Sequence, residues 1–143
     1  MASIRRRILE NLLTTVQSAT GVVASGLGHP HPNLATFERP YAAVMPQSES
    51  LNPATDELEE ATLTVLIRVL VDETHQEAGL QLEDVLEQVE RVITADRTRA
   101  GLAENTIVTG TRWPGIDAEE PHAGADLDLS IAYNRLRKDP ANS

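Results

Sequence analysis

Two aspartates stand two residues apart in "ADLDLSIAYN", residues 125–134. On an extended strand Asp126 and Asp128 project to the same side. Paired carboxylates can hold a hard cation, but no third ligand of matching spacing accompanies them. Solvated acids on an open sheet face give the same pattern. His29 and His31, in "HPH", offer two imidazoles. They sit in a Pro-rich stretch without the i, i+4 spacing of a helical metal site. His75 and His122 are isolated. "EEPH", with Glu119 and Glu120, combines acid and imidazole without the convergent pocket that acid–base catalysis needs. "SGLG", residues 25–28, lacks the strand, the helix and the Lys of a phosphate-binding loop. No G-x-S-x-G elbow occurs. The chain has no cysteine, which excludes disulfides, thiolate zinc sites and cysteine nucleophiles. No catalytic residue, cofactor-binding residue or metal ligand emerges, and the expectation is a protein that is not an enzyme.

One basic cluster stands out. Arg5, Arg6 and Arg7 open an N-terminal helix, where the macrodipole disfavours cations by a few tenths to about 1 kcal/mol. The acidic "DELEE" of residues 56–60, on the same or a neighbouring subunit, could offset this. Plain solvation is the simpler alternative.

With 143 residues, a single domain is expected. Acids outnumber Lys and Arg by 22 to 12, for a formal charge of −10. Such a chain does not wrap nucleic acid, which demands a cationic face. Four aromatic residues, Phe37, Tyr41, Trp113 and Tyr133, are too few for a stacking platform. The strongest apolar run, "LTVLIRVLV" at 63–71, is too short to span a bilayer as a helix, and Arg68 interrupts it. No signal-type segment is visible near the N-terminus. These features suggest a soluble, non-secreted protein with no membrane partner.

The elements that would position these residues follow from periodicity. Residues 3–18 carry Ile4, Ile8, Leu9, Leu12, Leu13 and Val16 at helical spacing, with Ser3 as cap. Residues 24–34 read as a loop because of their Gly and Pro content. Residues 35–46 read as extended, with Pro40 dividing two short strands and "YAAVM" the better of them. Residues 46–57, containing Glu49, Asp56 and Glu57, read as a polar loop. Residues 59–72 are the strongest strand. Ala61, Leu63, Val65, Ile67, Val69 and Val71 share one face, and Thr62, Thr64, Leu66, Arg68 and Leu70 share the other. Residues 76–95 place Leu82, Val85, Leu86, Val89, Val92 and Ile93 on one helical stripe. A short turn to about Gly101, a strand over 105–113, a loop over 114–124 holding Asp117, and a last strand over 125–135 complete the chain. The tail after Arg137 reads as polar and frayed.

The order α–β–β–β–α–β–β predicts an α+β two-layer sandwich. Its mainly antiparallel sheet has four to five strands, with both helices on one face. An 11-residue strand spans about 36 Å, against a radius of gyration of roughly 14–15 Å for a globule of this length. The long strands therefore cross the whole domain, and their edges and outer face must be exposed or covered by a neighbour.

This succession resembles a known family. "SIRRRILENLLTTV", the Pro-marked "FERPYAAVMP", the strand "LTVLIRVLVDE", the helix "LEDVLEQVERVITAD", the connection "AGLAENTIVTGTRW" and the closing strand "ADLDLSIAYNR" are together similar to the tail terminator proteins of tailed bacteriophages, also called tail completion or minor tail proteins. The similarity covers most of residues 3–135 as a pattern of elements and phrases; "SGLGHPHPNL" has no counterpart in it.

The resemblance implies a virion protein, assembled in the host cytoplasm. It would form a hexameric ring at the head-proximal end of the tail tube, stop tube growth and dock the head–tail connector. Tail tube protein and connector would be its partners, with the sheath in contractile phages. DNA would pass through the hole without specific binding, and no cofactor would be used. A ring needs a head-to-tail interface that closes on itself. Candidates for it are Arg5, Arg6, Arg7, Thr62, Thr64, Leu66, Arg68 and Leu70. Candidates for an acidic lumen, which like charge would keep from binding DNA, are Glu49, Asp56, Glu57, Asp117, Glu119, Glu120, Asp126 and Asp128. Two alternatives remain: another head–tail joining (neck) protein, and a small metal- or ligand-binding α+β domain using Asp126 and Asp128 or the histidines.

Overall fold

The computed structural model describes residues 3–28, 40–72, 78–113 and 122–136. His29, His31, His75, Asp117, Glu119, Glu120, the first half of the 35–46 segment and the tail after Leu136 lie outside the described residues.

Helix α1 spans Ile4–Gln17, and α2 spans Ala78–Ala95. The strands are β1 (Ala24–Leu27), β2 (Tyr41–Pro53), β3 (Leu58–Asp72), β4 (Asn105–Arg112) and β5 (His122–Leu136). They form one sheet in the order β1-β2-β3-β5-β4. Only the β1–β2 pairing is parallel; the other three are antiparallel. Both helices lie on one face of this mixed sheet, so the expected α+β sandwich and its element order are present.

The inner face is the core. Ala61, Leu63, Val65, Ile67, Val69 and Val71 of β3 and Ala125, Leu127, Leu129, Ile131 and Tyr133 of β5 are buried against Ile8, Leu12 and Val16 of α1 and Leu82, Val85, Leu86, Val89 and Ile93 of α2. Helix α1 covers β1 and β2, while α2 covers β3, β5 and β4. Ser3 caps α1 as expected, its side chain accepting from the Arg6 N–H at 3.1 Å.

Two strand assignments are corrected. Residues 24–27 were expected within a loop, yet "ASGL" pairs in register with Tyr41–Val44. The local cause is close approach: a Cβ at Gly26 would lie 2.1 Å from the Tyr41 hydroxyl, so only glycine lets the ring lie across β1. Residues 46–53, expected as polar loop, continue β2. Polarity misled because β2 is an edge strand here, past its pairing with β1, although it still runs beside the buried Val65, Leu63 and Ala61 of β3. A β-bulge between Pro46 and Ser48 adds one residue and switches the alternation. Before it Ala42 and Val44 face the helices; after it Glu49 and Leu51 stand opposite Leu63 and Ala61. The loop proper is Ala54–Glu57, where the Thr55 hydroxyl accepts from the N–H groups of Glu57 (3.2 Å) and Leu58 (3.0 Å). Beyond the bulge, residues 46–53 of β2 pair with 59–65 of β3, which β5 flanks on its other side. In the segment 46–60, the arm, the side chains are exposed except for Glu49 and Glu59.

Candidate functional site

The outer face divides into an apolar half and a charged ladder. Tyr41, Ala43, Met45, Leu66 and Leu70 form a second buried cluster. Leu66 and Leu70, expected at a subunit interface, are therefore already buried within the chain, 5% and 4% exposed. Thr62 and Thr64 are half-buried on the same face toward the arm.

In the ladder, Arg68, Asp126 and Arg112 lie across β3, β5 and β4 in one register row. Arg68 donates both Nε (2.8 Å) and Nη2 (3.1 Å) to Asp126. Arg112 makes the same fork to Asp128, at 3.0 and 2.9 Å. Asp126 is 2% exposed. Each of these carboxylates is held by a planar guanidinium of its own sheet, so Arg68, Asp126 and Asp128 are engaged within the chain. Hydrogen bonding to Asp128 raises the Arg112 pKa above its ordinary value, with the Coulombic attraction of the same group second. The lone pairs a cation would need are thus directed at arginine. Among the described residues no group of three His, Asp or Glu side chains converges on one point.

A second charged group closes the inner face where the arm leaves the body. Glu49 accepts from Arg5 at 3.3 Å and from Arg135 at 3.2 Å, and the Tyr133 hydroxyl donates to it. Arg135 also pairs with Glu59 at 3.2 Å. Desolvation, then the hydrogen bond to Glu49, pushes the Tyr133 phenol well above its ordinary pKa. Glu49 is thus tied within the chain by Arg5, Arg135 and Tyr133. The arginines of α1 also find other partners than "DELEE": Arg5 meets Glu49, and Arg6 meets Glu10 one turn on at 2.9 Å. Arg7 is exposed. Asp56 and Glu57 are exposed at the arm tip.

Sequence reasoning missed Arg99. Its side chain is fully buried. The guanidinium donates to the carbonyls of Ile93 and Asp96 and reaches Thr15 Oγ1 of α1 at 3.5 Å. It thereby satisfies carbonyls at the end of α2 that have no helical partner and places a cation at the negative end of the dipole. Burial pulls the Arg99 pKa below its ordinary value, with Asp96 acting in the opposite direction. The backbone is left-handed at Arg99 (φ 50°) and Ala100 (φ 58°). Asp96 holds this strained turn by accepting from the Ala100 N–H at 2.7 Å and the Thr98 N–H at 3.1 Å. These bonds, that from Ala100 first, hold the Asp96 carboxyl below its usual range. The Asp-x-Thr spacing in "ADRTRAG" was the available signal, since an Asp side chain bonds the backbone two residues on.

Trp113 leaves β4 at an exposed edge, its indole Nε1 donating to Glu83 Oε1 at 2.9 Å. It borders an open groove of about 300 Å³ between α2 and β4, lined by Glu83, Asp84, Glu87, Glu90, Thr111 and Leu127 among others. No protein-family model and no curated protein matches the chain.

Proposed function

We propose that the chain is a structural virion protein that forms a closed ring, six-fold by the resemblance noted above, at the head-proximal end of a phage tail tube. It ends tube growth there and offers the docking surface for the connector. One observation carries the reading: among the described residues no strand pairs with the outer edge of β1 or of β4, and exposed apolar residues lie on or beside each. Val23 and Leu27 stand by β1, and Ile107 and Trp113 by β4, all more than half exposed. Open borders of this kind template pairing with another chain unless a neighbour covers them. A repeated head-to-tail contact between two different borders closes into a ring when its rotation permits.

The α+β order of elements, on which the resemblance rests, supports the reading. So does the engagement of Asp126 and Asp128 by arginine, which leaves them poorly placed for a metal or substrate. The arm supports it in another way. Residues 46–60 hold no Lys or Arg, and three of their acids, Asp56, Glu57 and Glu60, are exposed. An exposed acidic projection suits a surface that faces DNA without retaining it.

The test is a phage from which the encoding gene has been removed. The reading expects tubes of irregular, extended length unattached to capsids, repaired by supplying the protein in trans. Tubes of uniform length that remain unattached favour a neck joining protein instead. Tubes of normal length joined to capsids overturn both.

A further inference from the structure

We infer that the α1/β1 flank of one copy seats on the α2/β4 flank of the next. This pairing rests on the ring reading and names the two surfaces that would form its repeating contact. The two flanks lie at opposite ends of the strand order, with α1 over β1 and β2 and α2 reaching β4. They differ in charge. Helix α1 carries Arg5, Arg6 and Arg7 against one acid, Glu10, whereas α2 carries Glu83, Asp84, Glu87 and Glu90 against one base, Arg91.

The charges left without an ion pair among the described residues are opposite in sign on the two flanks. Arg7 has no ion-pair partner among the described residues, and neither have Asp84 and Glu90. Arg7 also sits at a helix N-terminus, where an acidic neighbour relieves the dipole penalty. The acids border the groove between α2 and β4, and Trp113 supplies an aromatic rim on which a guanidinium can stack. Apolar matter is present on both flanks as well: Val23 (54% exposed) and Leu27 (55%) on one, Ile107 (51%) and Trp113 (57%) on the other. A basic flank with two exposed aliphatic side chains thus complements an acidic flank with an exposed Ile and Trp. The occupant this chemistry fits is a second copy of the same chain. Since the two patches differ, the contact is heterologous and leaves a free flank at each end until the ring closes.

A charge swap tests the pairing. One variant carries Arg6→Glu with Arg7→Glu, the other Glu87→Arg with Glu90→Arg; all four positions are exposed. Circular dichroism and urea unfolding check that both fold. Sedimentation at low salt, up to millimolar protein, should show each variant alone associating on the order of tenfold or more weakly than the wild type. An equimolar mixture should regain association, because every contact then joins opposite charges in an alternating ring.

The absence of cysteine from the chain gives a clean second readout. Copies bearing Arg7→Cys and copies bearing Glu90→Cys should cross-link with each other in preference to their own kind. Variants that associate like the wild type, a mixture that fails to recover, or like-with-like cross-links would each overturn the pairing. So would a wild type that remains monomeric with no mixed cross-links. The collar reading is decided separately, by imaging tubes, and survives any of these outcomes.

Discussion

Two halves of one strand behave as different materials. Tyr41–Met45 of β2 is buried on both faces, between the helices and the outer cluster; Pro46–Pro53 is exposed throughout apart from Glu49. Their partner β3 runs 15 residues beside both, a length of about 50 Å. The bulge at Pro46–Ser48 divides them. On the body side, side chains are specified by packing. On the arm side, the hydrogen-bond ladder is joined by the ion pairs of Glu49 with Arg5 and Arg135 and of Glu59 with Arg135, and the outward residues are free to be acidic or small. The contrast teaches that one strand can be core where a neighbouring strand and a helix cover it and surface where it becomes the edge of the sheet.

The sharpest way to break this comparison is truncation on either side of the bulge. Ile67→Ala in the body should cost about 2–5 kcal/mol in urea unfolding, from lost transfer energy and the cavity left behind. Ile67 is fully buried on the inner face. Equal losses for Ile67→Ala and the arm change Leu51→Ala would show that the arm is core after all.

Next in size is Arg99→Met, which keeps the bulk of the side chain and removes its donors. The carbonyls of Ile93 and Asp96 would then be left unsatisfied, at a cost of about 2–3 kcal/mol. A neutral outcome would mean that water or backbone takes over the capping role.

Asp126→Ala should cost about 1–3 kcal/mol, because Arg68 loses its fork. Its guanidinium keeps some access to water, at 35% side-chain exposure, which limits the loss. The double replacement Arg68→Met with Asp126→Leu should recover most of it, since a buried ion pair often only breaks even against packed apolar groups. A double variant no better than the single one would point to a further role for the ladder. Divalent-metal calorimetry on the unmodified chain should show no binding at this pair.

The pH limits distinguish the two charged regions. Asp96 has a depressed folded pKa, so its contribution is complete above the ordinary carboxylate range and fades as pH falls through the folded value, below about 4. Tyr133 has a raised folded pKa, so the unfolded chain ionises first. Stability should therefore fall as pH rises past about 10. Tyr133→Phe should flatten that alkaline limb at a cost of about 1 kcal/mol near neutrality, as Glu49 keeps Arg5 and Arg135. Stability profiles from pH 2 to 11 check both signs. The smallest effect belongs to the arm: Leu51→Ala should change stability by less than about 0.5 kcal/mol.

What could be seen in the sequence followed the same division. β3, β5 and both helices were legible because one buried face imposes a period of two or of about 3.6 residues. β1 and the arm were not. Four residues with a glycine carry too little pattern, and an edge segment with exposed side chains on both faces has no reason to alternate hydrophobicity. The Asp126/Asp128 spacing was legible as a shared face, but its partners were not, because Arg68 lies 58 residues away in the chain and Arg112 lies across a second pairing. Glu49 was misplaced for a related reason. The bulge that turns it toward Tyr133 leaves no mark in the pattern of polar and apolar residues.

The central claim is that copies of this chain close into a collar on the end of a tube. Electron microscopy of tubes incubated with the purified protein tests it most directly. An annulus enclosing a central hole, at the head-proximal end only and with no further growth of the capped tube, is the predicted image. Tubes that keep elongating with both ends bare, or protein bound along their sides, would contradict it.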